Sequence, residues 1–145
     1  MSASTAAEIK KLLTGNGWMI YRTLGDSVLL AELVRDNLIM EANVSVELGA
    51  SVRVRFATRA QRSDFPSSSE TDVSLLDRAR SMGQPALEAG FKELRTLVEP
   101  IPDPMDPKEH LDTWYQVLFE KPVDSDEALV EAVRSAMSLE KVAPR

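Results

Sequence analysis

The chain has 145 residues, of which 43% are hydrophobic, and carries a formal charge of −6 from 17 Lys+Arg against 23 Asp+Glu. That length and apolar content suit one α+β domain, 1–145, with a core of its own. The absence of cysteine excludes thiol nucleophiles, disulfides and thiolate metal sites, and the negative field disfavours nucleic acid and anionic membrane as partners.

The first residues, Met1 to Glu8, show neither a basic leader nor an apolar one, and no apolar run approaches a membrane span. A cytoplasmic location is the expectation. Thr5 and Glu8 then make a capping-box pattern, Ile9, Leu12 and Leu13 one apolar stripe, and Gly15-Asn16-Gly17 a stop. These predict a short N-terminal helix at the edge of a sheet.

Residues 18–61 predict a four-stranded antiparallel meander over 18–24, 28–35, 38–48 and 51–61, joined at Gly25-Asp26, Asp36-Asn37 and Gly49-Ala50. In the third strand Leu38, Met40, Ala42, Val44 and Val46 alternate with Ile39, Glu41, Asn43, Ser45 and Glu47. In the fourth, Val52, Val54 and Phe56 alternate with Arg53, Arg55 and Ala57. Apolar residues of paired strands must share a face, so a three-residue loop at 49–51 is predicted. It pairs Glu47 with Arg53 and Ser45 with Arg55, and sets Glu41 opposite Arg59. A two-residue turn at Asp36-Asn37 puts Leu29, Ala31 and Leu33 on the core face. It leaves Val28, Leu30, Val34 and Ile39 as an apolar patch on the other face, covered either by a helix or by a partner. Leu29, Leu30 and Leu33 also fit a helical period, so 27–35 has a helical alternative.

Residues 62–71 read as a polar linker ending in a helix cap at Asp72. Two helical pieces follow, 72–82 and 85–99, punctuated by Gly83 and Pro85. Ala86, Leu87, Phe91, Leu94, Leu97 and Val98 give the second a broad apolar face. The proline-rich stretch 99–107 is expected to run extended over the surface, because its prolines suit neither a helix nor a central strand. A short helical turn at 106–109, a strand over 114–121 and a helix over 125–139 capped by Asp124 and Glu127 complete the order. The predicted architecture is an N-terminal helix, a four-stranded antiparallel meander, an interrupted middle helix, one further strand and a C-terminal helix.

His110, with Asp103, Asp106, Glu109 and Asp112 around it, has the composition of a Mg²⁺ or Mn²⁺ site. Capping by Asp106 and Glu109 accounts for two of these residues, so no metal or other cofactor is expected. Glu32 and Glu41, opposed in the predicted register, could raise one another's pKa as a catalytic pair would, but exposed strand carboxylates more commonly meet a cation or water. No nucleophile elbow or phosphate loop is present, and no catalytic residue is assigned. The row Arg53, Arg55, Arg59 and Arg62 could meet RNA or an acidic peptide. Without interleaved aromatics, and with Glu41 and Glu47 nearby, internal pairing is the expected use.

The last strand and helix, WYQVLFEKPVDSDEALV (114–130), follow a helix, a meander and a second helix. That order resembles the type III secretion chaperone-like fold and the related YbjN family. It departs from them in two ways: four meander strands where three are usual, and one strand after the middle helix where a pair is usual. The resemblance implies a non-enzymatic homodimer that binds an extended polypeptide along apolar patches. A protein-interaction or chaperone-like module is therefore the leading expectation, with Val28, Leu30, Val34 and Ile39 as the contact. The alternative is a small-molecule-binding or enzymatic domain, with Tyr21, Trp114 and His110 near a pocket between sheet and helices.

Overall fold

Thr5 caps the first helix as its spacing predicts. Its hydroxyl accepts the Glu8 N–H while the Glu8 carboxylate accepts the Thr5 N–H, so donors that a helix start leaves free find partners. In the computed structural model, which describes residues 1–33, 36–65 and 69–142, this helix α1 spans Ala6–Gly15. Strands β1 (Met19–Leu24), β2 (Ser27–Leu33), β3 (Ile39–Glu47) and β4 (Val52–Gln61) follow, then a 3-10 turn (Arg62–Asp64) and helices α2 (Asp72–Met82) and α3 (Gln84–Glu88). A strand pair, β5 (Lys92–Asp103) and β6 (Asp106–Val123), and helix α4 (Asp126–Val142) close the chain.

The fold is mixed α+β, but its sheet has six strands, in the order β1-β2-β3-β4-β6-β5, where four plus one were expected. The helix predicted over 85–99 stops after one turn. Gly90 takes a left-handed φ of 93°, and from Lys92 the chain is a strand hydrogen-bonded to β6. The predicted turn at 106–109 is likewise strand. The prolines fit because β5 is an edge strand, where a missing N–H can point away from the ladder.

The register of β3 on β4 follows the apolar alternation: Glu47 lies opposite Arg53 and Ser45 opposite Arg55. The pairing ends at Val44–Phe56, so Glu41 does not reach a place opposite Arg59 in the ladder. Between β2 and β3 the register differs from expectation. Leu33 pairs with Ile39, Glu32 with Met40 and Ala31 with Glu41, and an irregularity then brings Leu29 opposite Ser45 and Val28 opposite Val46. Glu32 and Glu41 are therefore not a cross-strand pair. Because Leu33 lies opposite Ile39 and not Met40, Val28 and Leu30 share a face with Ala42, Val44 and Val46; the irregularity shifts the register by two residues and keeps that facing.

All four helices add side chains to one core: Ile9 and Leu13 from α1, Leu75 and Ala79 from α2, Ala86 from α3, Leu129 and Val133 from α4. These meet Val54 and Phe56 of β4 and Tyr115, Val117 and Phe119 of β6. The one buried polar side chain in the described core, Thr58, donates its hydroxyl hydrogen to the Ala79 carbonyl at 2.6 Å, fixing α2 to β4 at no cost in unpaired groups. Gly83, at the joint of α2 and α3, lies directly on the Phe119 ring, which an added methyl would overlap. Its φ is −88°, so this glycine is required by packing and not by backbone conformation. Gly83→Ala should lower unfolding stability by about 1–3 kcal/mol, and adding Phe119→Leu should recover part of that loss. Denaturant midpoints of the single and double variants check this, and additive losses would contradict it.

Candidate functional site

The β2–β3 register divides the apolar patch expected at 28–39. Val28 and Leu30 are fully buried in the core and are not available as a contact surface in the folded chain. Val34 lies outside the described residues. Ile39 is 50% exposed and has apolar company: Leu33 at 58%, Leu38 at 54% and Met40 at 47%. Leu33 and Ile39 are directly opposed, and the chain between them contains Asp36 and Asn37 with φ of 51° and 62°. Such left-handed positions favour Asn and Asp at a tight reversal. The β2–β3 tip thus exposes large aliphatic side chains, with Leu33 and Ile39 on one face of the ladder and Met40 on the other. Sequence reasoning found the hairpin but assigned its strand faces wrongly.

A second feature is a cleft of about 900 Å³ between the end of β4 and α2, with Arg59, Phe65, Glu70, Asp77, Arg78 and Met82 among its walls. Its charges are largely engaged. The Arg78 guanidinium lies over the Phe65 ring, 4.5 Å from its centroid, and donates to Glu70 at 2.7 Å. Hydrogen bonds from Arg78, then from Ser74, hold the Glu70 carboxyl below its usual range. Arg80, two residues along, joins Asp77 and Glu93. Of the residues expected near a pocket, Tyr21 is on β1 at the opposite end of the sheet, and His110 is exposed on β6 opposite Pro102. Trp114 lies beneath Arg59, whose guanidinium carbon is 4.0 Å from the ring centroid. Among the described residues, no three His, Asp or Glu side chains gather to hold a metal ion, and no helix is long and apolar enough to cross a membrane.

The arginine row is used internally. Arg55 donates to Glu120 at 2.8 Å and lies 3.6 Å from Glu47, while Arg53 lies 3.6 Å from Glu120 and donates to the Leu48 carbonyl. Glu120, which the sequence did not single out, lies opposite Arg55 and is shared by Arg53 and Arg55, while Gln116 lies opposite Arg59, where Glu41 was expected. Arg62, read as linker, enters a three-residue hub. It donates to the Tyr115 hydroxyl at 2.7 Å and to Asp72 at 2.8 Å, and Tyr115 donates to the same carboxylate at 2.6 Å. The hub joins the start of α2 to the middle of the sheet. No family model, characterised protein or solved structure matches the chain.

Burial, and next the hydrogen bond to Asp72, push the Tyr115 phenol above its ordinary value of 10.0. A raised folded value means that the native state keeps the proton after the unfolded tyrosine has lost it. The hub's contribution is then complete below about pH 10 and disappears as pH rises through the folded value. Tyr115→Phe should cost about 1–2 kcal/mol at neutral pH and flatten the alkaline decline in Tm. An equal alkaline slope in the two proteins would show that the hub is not its source.

Proposed function

We propose that this chain is a non-enzymatic, chaperone-like module that binds a polypeptide partner. The observation that carries the proposal is the aliphatic β2–β3 tip, where Leu33, Leu38, Ile39 and Met40 stand about half or more exposed on adjoining positions. Large apolar side chains exposed together at one hairpin tip are the kind of surface that another chain covers. Completing the burial of one half-exposed Leu or Ile is worth roughly 1 kcal/mol. The cluster would therefore anchor a partner, and main-chain pairing at a free strand edge would add affinity. The element order supports the same reading. The strand pair β5–β6 after the middle helix is the feature of the chaperone-like pattern that the sequence had left without a counterpart.

The cleft beside α2 favours a second reading, a small-molecule-binding domain. The two readings separate in one set of measurements. Leu38→Asp and Ile39→Asp together should leave Tm almost unchanged, since both side chains are exposed, yet weaken binding to an array of unstructured apolar peptides by about tenfold or more. Wild-type protein that ignores every peptide, while a metabolite panel raises its Tm, would overturn the polypeptide reading in favour of the cleft.

A further inference from the structure

Strand β5 ends the sheet, and its residues 92–100 are all exposed. Residues of one strand present their N–H and C=O groups alternately to its two sides. Pro100, paired opposite Thr113, has no N–H to give the ladder, so its side of the alternation faces outward. Between the irregularities at Glu93/Arg95 and Ile101/Pro102 the alternation is unbroken. Thr96 and Val98 therefore share the phase of Pro100 and offer their main-chain groups to solvent.

The side chains over the same stretch form a charge palindrome: Arg95-Thr96-Leu97-Val98-Glu99. Arg95, Leu97 and Glu99 stand on one face of the strand, across from Leu118, Gln116 and Trp114 of β6. Arg95 has no ion-pair partner among the described residues. One oxygen of Glu99 accepts a hydrogen bond from Gln116 at 3.2 Å, which leaves the other oxygen for a cation. Leu97 and Val98, between the two charges, are both exposed.

We propose that β5 is a self-pairing edge, and that its occupant is β5 of a second copy of this chain, antiparallel about a two-fold axis at Leu97. In that register Leu97 meets Leu97 of the second copy, and Arg95 of each chain meets Glu99 of the other. Thr96 and Val98 of each chain exchange N–H···O=C bonds with Val98 and Thr96 of the other. The main-chain phase allows a two-fold axis at a residue and not between two residues, and the side chains select Leu97 among them. An axis at Arg95 sets like charges together, and an axis at Thr96 or Val98 sets Leu97 against Arg95 or Glu99. Pro100 and Pro102 end the ladder, and the two sheets become continuous across both copies. The pairing gives the homodimer of the proposed polypeptide-binding module a defined surface. It uses a strand distinct from the aliphatic tip, so the two proposals fail separately.

The chain has no cysteine, which makes a crosslink at the axis unambiguous. Directly opposed residues in a non-hydrogen-bonded antiparallel pair lie about 4.5 Å apart at Cα, within disulfide reach. Under mild oxidation Leu97→Cys should convert to a covalent dimer, while Leu111→Cys, exposed elsewhere on the hairpin, should stay monomeric. Arg95→Glu or Glu99→Arg alone should raise the dimer dissociation constant by about tenfold in sedimentation equilibrium, and the double swap R95E/E99R should restore it. Circular dichroism confirms that each variant is folded. A monomeric wild type, equal crosslinking at 97 and 111, a dimer indifferent to the single reversals, or a swap as weak as the singles would overturn the pairing. Peptide binding by the R95E monomer reports on the aliphatic tip independently.

Discussion

The ladder between β4 and β6 is the constraint on which the rest of the molecule depends. It runs without a register shift from Val52–Val123 to Gln61–Trp114 and joins segments more than fifty residues apart at its inner end. Closing so long a loop is entropically unfavourable, so the ladder must be supported by what it buries. Phe56 and Phe119 are directly opposed in it, and Val54, Val117 and Tyr115 extend the same apolar face. The helices attach to these two strands by specific polar contacts as well as by packing. Thr58 on β4 holds the Ala79 carbonyl, and Tyr115 on β6 holds Asp72. Without the ladder α2 would have no platform, and β5–β6 would be an isolated hairpin, marginal in water.

The same ladder explains why one face of the sheet needs no helix. The outward positions of β3, β4 and β6 carry Glu47, Arg53, Arg55 and Glu120, which join side by side across three strands. Ser27 and Ser45 donate to the two oxygens of Glu47, so its acceptors are engaged even as neighbours partly exclude water. Partly buried ion pairs of this kind add little net stability individually, because desolvation offsets much of their attraction. Their effect is on register, because a one-residue slip would bring like charges together and turn the apolar set outward.

Legibility in the sequence followed the range of the interactions. The meander, the capping box at Thr5, the start of α2 at Asp72 and the Glu47–Arg53 register are set by alternation or by residues within a few positions, and all can be read from the chain. The faces of β2 cannot. Val28, Leu29, Leu30 and Ala31 are all apolar, so the pattern does not say which alternate set faces inward, and the one-residue difference in the turn-end register that decides it leaves no trace there. Segment 85–99 misleads for another reason: Leu87, Phe91, Leu94 and Val98 repeat at helical spacing, whereas β6, distant in sequence, offers a ladder that outweighs this local preference. Prolines at 100 and 102 seemed to forbid a strand because the strand was not recognised as an edge. The Arg62–Asp72–Tyr115 hub joins three segments and was not legible as a hub. Its one signal was a tyrosine in the middle of a core strand, whose hydroxyl needs a partner when buried.

The two ends of the sheet are built differently, and the difference bears on how the chain meets others. At one end β1 is short, carries a register irregularity between Ile20 and Arg22, and presents Arg22 and Thr23 beside its exposed apolar residues. Bulges, charges and brevity all discourage edge-to-edge pairing. At the other end β5 is twelve residues long, and its prolines guard only the part nearest the turn. From Arg95 to Glu99 it has none of these protections, apart from two charges of opposite sign placed symmetrically about Leu97. Opposite charges so placed match their own reversed copy. Of the axes at Arg95, Thr96, Leu97 and Val98, only the one at Leu97 sets both charges against opposite ones. The aliphatic tip belongs to β2 and β3, with β4 and β6 between it and β5 in strand order. One contact can therefore form without occupying the other, and a paired sheet would carry an exposed aliphatic tip on each copy.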